Sequence, residues 1–133
     1  MKVGFICVGN SARSHMAEGF AKAISQRLGK EIEVFSAGSK PAGYVHPFAI
    51  EVMKEVGIDV SNQKSKSLKE IPYFELDLVV TLCGEAQETC PFVPSKRYLH
   101  WDLKDPAKEN TIEAFREVRD TIQKLVEELL ASL

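Results

Sequence analysis

The residues Cys7-Val8-Gly9-Asn10-Ser11-Ala12-Arg13-Ser14 place a thiol and a guanidinium at the two ends of a short polar loop. An apolar run over residues 3–8 reads as a buried strand and a helical pattern opens at Ser14, so the loop joins a strand to a helix amino terminus. At such a junction unpaired backbone N–H groups and the positive end of the helix dipole favour an anion. Gly9 and Asn10 suit the positive φ values that a concave nest of N–H groups needs. Arg13 adds a planar fork of donors matched to two oxygens of a tetrahedral anion. The same field stabilises a thiolate, so Cys7 is expected to be ionised at neutral pH, with the Ser14 hydroxyl donating to its sulfur. The chemistry implied is a sulfur nucleophile aimed at an oxyanion that Val8, Gly9, Asn10, Ser11, Ala12, Arg13 and Ser14 cradle.

The elements that must position this loop alternate short apolar runs with helical patterns, an α/β signature. After the first strand, Met16, Phe20, Ile24 and Leu28 recur every four residues until Gly29 ends the helix. A second strand is expected at 31–35, and a helix from His46-Pro47 to about Val56 has proline in its first turn and Gly57 just past its end. Residues 76–82 form the clearest strand and 97–101 the fourth. In the last helix Asn110 is the expected cap, with Glu113 three residues on and a stripe of Ile112, Phe115, Val118, Ile122, Leu125 and Leu129. Residues 61–73 give no clear pattern. Handedness rules turn four strands with crossover helices into a parallel sheet covered by helices on both faces.

In such a sheet the residues following the strands' carboxyl ends gather along one rim, where open α/β folds bind their ligands. Cys7 near the end of the first strand, Cys83 after the third and Asp105 beyond the fourth therefore become neighbours. Each has a plainer reading. A cysteine at a strand end is more often a small buried hydrophobe, and only the loop with Arg13 and Ser14 makes Cys7 a nucleophile. Cys83 and Cys90 taken alone read as core packing and a loop thiol, and Asp105 before Pro106 as a turn residue.

With 133 residues the chain is one domain, 1–133, and 44% hydrophobic with 27% charged residues is globular. A formal charge of -2 with mixed signs offers no field for nucleic acid. The amino-terminal apolar run is too short for a secretory signal, and no stretch is long enough to span a membrane. A cytoplasmic protein is expected, with three reduced cysteines. His15, His46 and His100 have no metal-ligand spacing with the cysteines and read as surface or capping residues, so no metal is expected.

Cys7-x5-Arg13-Ser14 at a strand-to-helix junction, with Asp105-Pro106 far downstream, resembles the low-molecular-weight tyrosine phosphatase superfamily over essentially the whole chain. Within it the sequence is most similar to the thioredoxin-coupled arsenate reductases, through the loop itself, Ser36-Ala37-Gly38, Val79-Val80-Thr81-Leu82-Cys83, Cys90-Pro91 and His100-Trp101. The resemblance implies strand order 2-1-3-4. It implies that Cys7 attacks the arsenic of arsenate, that Arg13 and the loop amides hold the oxygens, and that Asp105 protonates the departing oxygen. It further implies a relay in which Cys83 attacks Cys7, Cys90 captures Cys83, and thioredoxin or a similar dithiol reduces the final pair, with no tightly bound cofactor. If the segment were helical, Cys83 and Cys90 would lie ~10.5 Å apart along the axis, and a disulfide needs Cα atoms within about 7 Å. A rearranging segment over residues 83–91 is therefore expected.

Two departures stand out. Ala12 replaces a further loop cysteine of many such reductases, and Lys66 stands where potassium-binding members have an acidic residue, so that ion is not expected. The rival enzyme is a tyrosine phosphatase using Cys7, Arg13 and Asp105, against which Pro106 is followed by Ala107-Lys108 rather than pocket aromatics. Weak phosphatase activity is nonetheless expected beside reduction. A non-catalytic anion-binding or phosphocysteine carrier has less need of a leaving-group acid such as Asp105.

Overall fold

The computed structural model describes residues 1–82 and 95–133. The first strand, β1 (Lys2–Cys7), leads into α1 (Arg13–Leu28), followed by β2 (Glu33–Gly38) and α2 (Pro47–Glu55). Then come β3 (Leu78–Thr81), β4 (Arg97–His100) and the long α3 (Ile112–Ser132). All pairings are parallel and the sheet order is β2-β1-β3-β4. The order puts β1 and β3 in the centre, where Val3, Phe5, Ile6, Leu78, Val79 and Val80 are shut off from water on both faces. Near-continuous apolar runs are what central parallel strands require.

One face carries the larger core. Met16, Phe20 and Ile24 of α1, Val52 and Met53 of α2, and Phe115, Ile122 and Val126 of α3 close over Val3, Phe5 and Val80. The other face is smaller: Ile6, Ala37 and Val79 are covered by Ile71 and Leu76, with Leu68 against them. Ile71 and Leu68 come from the stretch that had no clear pattern in the sequence, and Leu76 from the start of the expected third strand. Two single 3-10 turns, Leu68–Glu70 and Tyr73–Glu75, carry this cover, each too short to show a helical period. Among the described residues no helix is long and apolar enough to cross a membrane.

Details differ from the sequence reading. The second strand runs over Glu33–Gly38, not 31–35: Ser36, Ala37 and Gly38 look like turn residues, yet they are fully or nearly buried and pair with Phe5, Ile6 and Cys7. The third strand is Leu78–Thr81, shorter than 76–82, because Leu76 turns down to cover the second face. Asn110 does not cap α3; it takes a left-handed φ of 53, and Thr111 caps instead, its Oγ1 accepting from Ala114 N at 3.3 Å. Leu28 lies beyond the buried part of its stripe and is 46% exposed at the helix end, where Gly29 turns left-handed with φ 67.

In α3 the buried positions are Ala114, Phe115, Ile122, Val126, Leu129 and Leu130, while Ile112, Val118 and Leu125 are half-buried. Across the α2–α3 seam Arg116 and Arg119 both pair with Glu55, each at 2.7 Å.

Candidate active site

The cavity at the carboxyl rim is lined by Cys7, Gly9, Ser11, Ala12, Arg13, Ala42, Tyr44, His46, Asp105 and Ala107, and measures about 170 Å³. Its floor is the loop between β1 and α1, and the way that loop is fastened explains its shape. The 40–46 segment hydrogen-bonds its outer edge: Lys40 N donates to Val8 O at 2.9 Å, Ala42 N to Gly9 O at 2.8 Å and His46 N to Ser11 O at 2.9 Å. With the carbonyls engaged on the outside, the amide edge is left for the concave side, the arrangement of an anion nest.

The loop could not sit so low without Gly38. A Cβ there would stand 2.4 Å from Val8 O and 2.9 Å from Asn10 N, so the end of β2 passes under the loop only as glycine. Of the two residues expected at positive φ, Asn10 is there, at φ 44, and Gly9 is not. An added Cβ on Gly9 would meet nothing closer than 3.9 Å, so the concavity is made by Asn10 and by the close approach of Gly38.

Helix α1 begins without help. Ala12 at its cap position has no side chain that can accept, no acidic residue stands in the first turn, and no side-chain hydrogen bond closes the start. The positive end of the helix dipole thereby meets the cavity with no side chain closing it.

Cys7 is 2% exposed at this floor, its sulfur accepting from Asn10 N at 3.2 Å and lying 3.0 Å from Ser14 Oγ. The direction of the second contact follows from a chain of donors. Lys66 N donates to Asn10 Oδ1 at 2.6 Å, which fixes the orientation of that amide. Asn10 Nδ2 then donates to Ser14 Oγ at 2.8 Å, and the serine proton is left to point at sulfur. Asn10 N and Ser14 Oγ thus both donate to the one sulfur and hold it at the cavity floor.

Arg13 is 3% exposed, and its Nη1 donates to Leu103 O at 2.9 Å. Its Nη2 lies 3.9 Å from Asp105 Oδ2, and the Asp105 side chain is 28% exposed at the rim. Asp105 does what its plain reading says and more. One oxygen caps the Pro106–Lys108 turn, accepting from Ala107 N at 3.0 Å, and the other faces Arg13 across the cavity.

A buried polar layer supports the loop from below. Ser36 Oγ donates to Glu18, which is 4% exposed and pairs with Lys22 at 2.6 Å. His15, expected at the surface or as a cap, is instead fully buried. Gln63 Nε2 lies 2.8 Å from its Nδ1 and 3.1 Å from its carbonyl oxygen, tying the 61–66 stretch to α1. Burial pushes the His15 ring down to about 4, outweighing the upward pull of Glu18. His46 is a cap, its Nδ1 accepting from Phe48 N at 3.1 Å, and also a cavity wall; burial lowers its ring below the ordinary value while Asp105 pulls the other way. His100 is exposed.

The structure thus brings together Cys7, the loop residues 8–14 and Asp105. Cys83, Cys90 and the expected rearranging segment lie outside the described residues. Sequence reading missed Gly38, Ala42, Tyr44, His46 and the Leu103 carbonyl as parts of the site. The signal available was their place: each follows, or closes, a strand at the same rim.

Comparisons with known proteins agree with this geometry. The arsenate reductase of Halalkalibacterium halodurans is 48% identical over 128 residues, covering 92% of this chain and 89% of that protein. The arsenate reductase of Bacillus subtilis is 45% identical over 130 residues, covering 93% and 91%. Among solved structures, an arsenate reductase in its phosphate-binding state superposes with a TM-score of 0.85 at 40% identity, covering 98% of this chain and 97% of the other. A low molecular weight protein tyrosine phosphatase from T. tengcongensis superposes with a TM-score of 0.84 at 30% identity, over 100% and 99%. The family model for low molecular weight phosphotyrosine protein phosphatases matches residues 2–133, and it is to this family that the chain belongs.

Proposed function

We propose that this chain is a cytoplasmic arsenate reductase that serves arsenate detoxification, with Cys7 as nucleophile. The observation that carries the reading is the meeting of a donor-flanked Cys7 sulfur, a buried Arg13 and a rim Asp105 around a cavity of about 170 Å³ at an uncapped helix start. The names of its relatives supply the element: arsenate, a tetrahedral oxyanion with the shape and charge of phosphate.

The loop amides and Arg13 hold three oxygens, and the Cys7 thiolate attacks arsenic opposite the fourth. Asp105 gives that oxygen its proton, so that it leaves as water or hydroxide and an S–As bond remains. Cys83 then attacks the Cys7 sulfur. The S–As bond breaks with its electron pair going to arsenic, which departs as arsenite, while a Cys7–Cys83 disulfide keeps the oxidation. Cys90 attacks Cys83 in turn, freeing Cys7 as thiolate and leaving a Cys83–Cys90 disulfide. An external dithiol of the thioredoxin kind restores both thiols by exchange, so no tightly bound cofactor is required.

Aryl-phosphate hydrolysis is a side activity in this reading, since it needs only Cys7, Arg13 and Asp105. The test is arsenite production with a thioredoxin system, comparing wild type with Cys83→Ser and Cys90→Ser. Loss of reduction in both variants with hydrolysis of an aryl phosphate retained is the expected result. Unchanged arsenate turnover in either variant would eliminate the relay.

A further inference from the structure

His46 enters the site at the start of α2, and both its ring and its backbone are held. It packs on Phe115 with centroids 4.5 Å apart and on Phe48 at 5.4 Å, and its own N–H ties the backbone to the anion loop through Ser11 O at 2.9 Å. One ring nitrogen is already spent. Nδ1 accepts from Phe48 N at 3.1 Å, closing the start of α2, and a backbone amide has no lone pair to offer in return. A neutral imidazole has one proton, so it must sit on Nε2. Adding a second proton would remove the cap and set a positive charge at a helix amino terminus, both unfavourable. His46 lines the cavity with Cys7, Arg13 and Asp105, and its neutral ring carries an N–H donor rather than a base.

Resting on the oxyanion reading above, we propose that His46 is a further binding residue of the site, its Nε2–H donating to an oxygen of the bound tetrahedral anion. The floor amides and Arg13 leave the anion's outward oxygen to the rim. In that reading Asp105 has a single proton for this oxygen, and Ala42 and Ala107 have no polar side chain, so any further donor comes from Tyr44 and His46 on the α2 side, of which only the His46 ring is fixed by a hydrogen bond of its own.

The test uses inorganic phosphate as probe on the reduced, full-length protein. His46→Asn preserves the cap, because asparagine accepts from the same amide, but its side chain ends short of the Nε2 position. The expected result is an unchanged unfolding midpoint with phosphate binding weakened about tenfold or more in calorimetric titration, the scale of a lost hydrogen bond to a charged group. In wild type, imidazole ¹⁵N spectra should show the Nε2–H form, with the Nε2 resonance moving on phosphate addition. Equal phosphate affinity in His46→Asn, an Nδ1–H form, or an Nε2 resonance indifferent to phosphate would overturn the assignment while leaving the oxyanion site intact. Failure of the wild type to bind phosphate at all would overturn that reading and this inference with it.

Discussion

Two helices begin at the same cavity and treat their amino termini in opposite ways. Helix α2 closes its own start, with Pro47 in its first turn and His46 accepting from Phe48 N. Helix α1 does not, having Ala12 where a capping side chain would sit and no acidic residue to answer its dipole. Thr111 caps α3 as well, so α1 stands apart among the described helices. A missing cap costs a helix about 1 kcal/mol, and it is tolerated here because α1 is otherwise buried through Met16, Phe20 and Ile24. The comparison teaches that the vacancy belongs to the guest: the donors α2 consumes internally are, in α1, reserved for an anion.

The hardest blow to that comparison would come from giving α1 a cap. Ala12→Asp should satisfy the first-turn amides and stabilise the helix by about 1 kcal/mol while a permanent carboxylate abolishes phosphate binding and arsenate turnover. Calorimetry and thermal unfolding together check it, and a variant that still binds phosphate would show that the open terminus is not the anion's seat.

A smaller effect tests what supports that terminus. The His15 ring titrates near 4 when folded against an ordinary 6.5, so the unfolded chain takes the proton first as pH drops. Its contribution is full above pH 6.5 and is lost as pH falls toward 4, on the order of 3 kcal/mol in all. His15→Gln should flatten the urea-denaturation stability between those two pH values, and an unchanged slope would point to other groups.

Gly38→Ala comes next, expected to cost about 1–3 kcal/mol because backbone rather than a flexible side chain blocks the new methyl. It should also weaken phosphate binding, since lifting the loop spoils its concavity. The mildest is Thr111→Ala, which removes a cap far from any anion and should lower stability by about 1 kcal/mol with phosphate affinity unchanged.

What could be read directly from the chain was whatever is contiguous. Cys7, Arg13 and Ser14 share one loop, their spacing is fixed by the start of one helix, and the alternation of strands and helices was enough for the fold class, while the strand order came from the family resemblance. What escaped was delivered from elsewhere. Gly38 resembles a turn residue until its pairing with Cys7 shows it buried under the loop. Lys66 contributes a main-chain amide that no side-chain pattern reveals, and Leu103 contributes a carbonyl. His46 reads as a cap, which it is, and only its place in the cavity lining shows that it is also a wall. Asn110 and Thr111 are both competent caps; the left-handed turn at Asn110 decided between them.

The line from Lys66 N through Asn10 and Ser14 to the Cys7 sulfur has a practical side. Each link polarises the next, so a change of charge on sulfur is felt at an amide 59 positions away in the chain. That amide is a built-in reporter. Alkylating or oxidising the thiol should displace the Lys66 amide proton resonance without any reagent touching it, giving a readout of the state of the Cys7 sulfur.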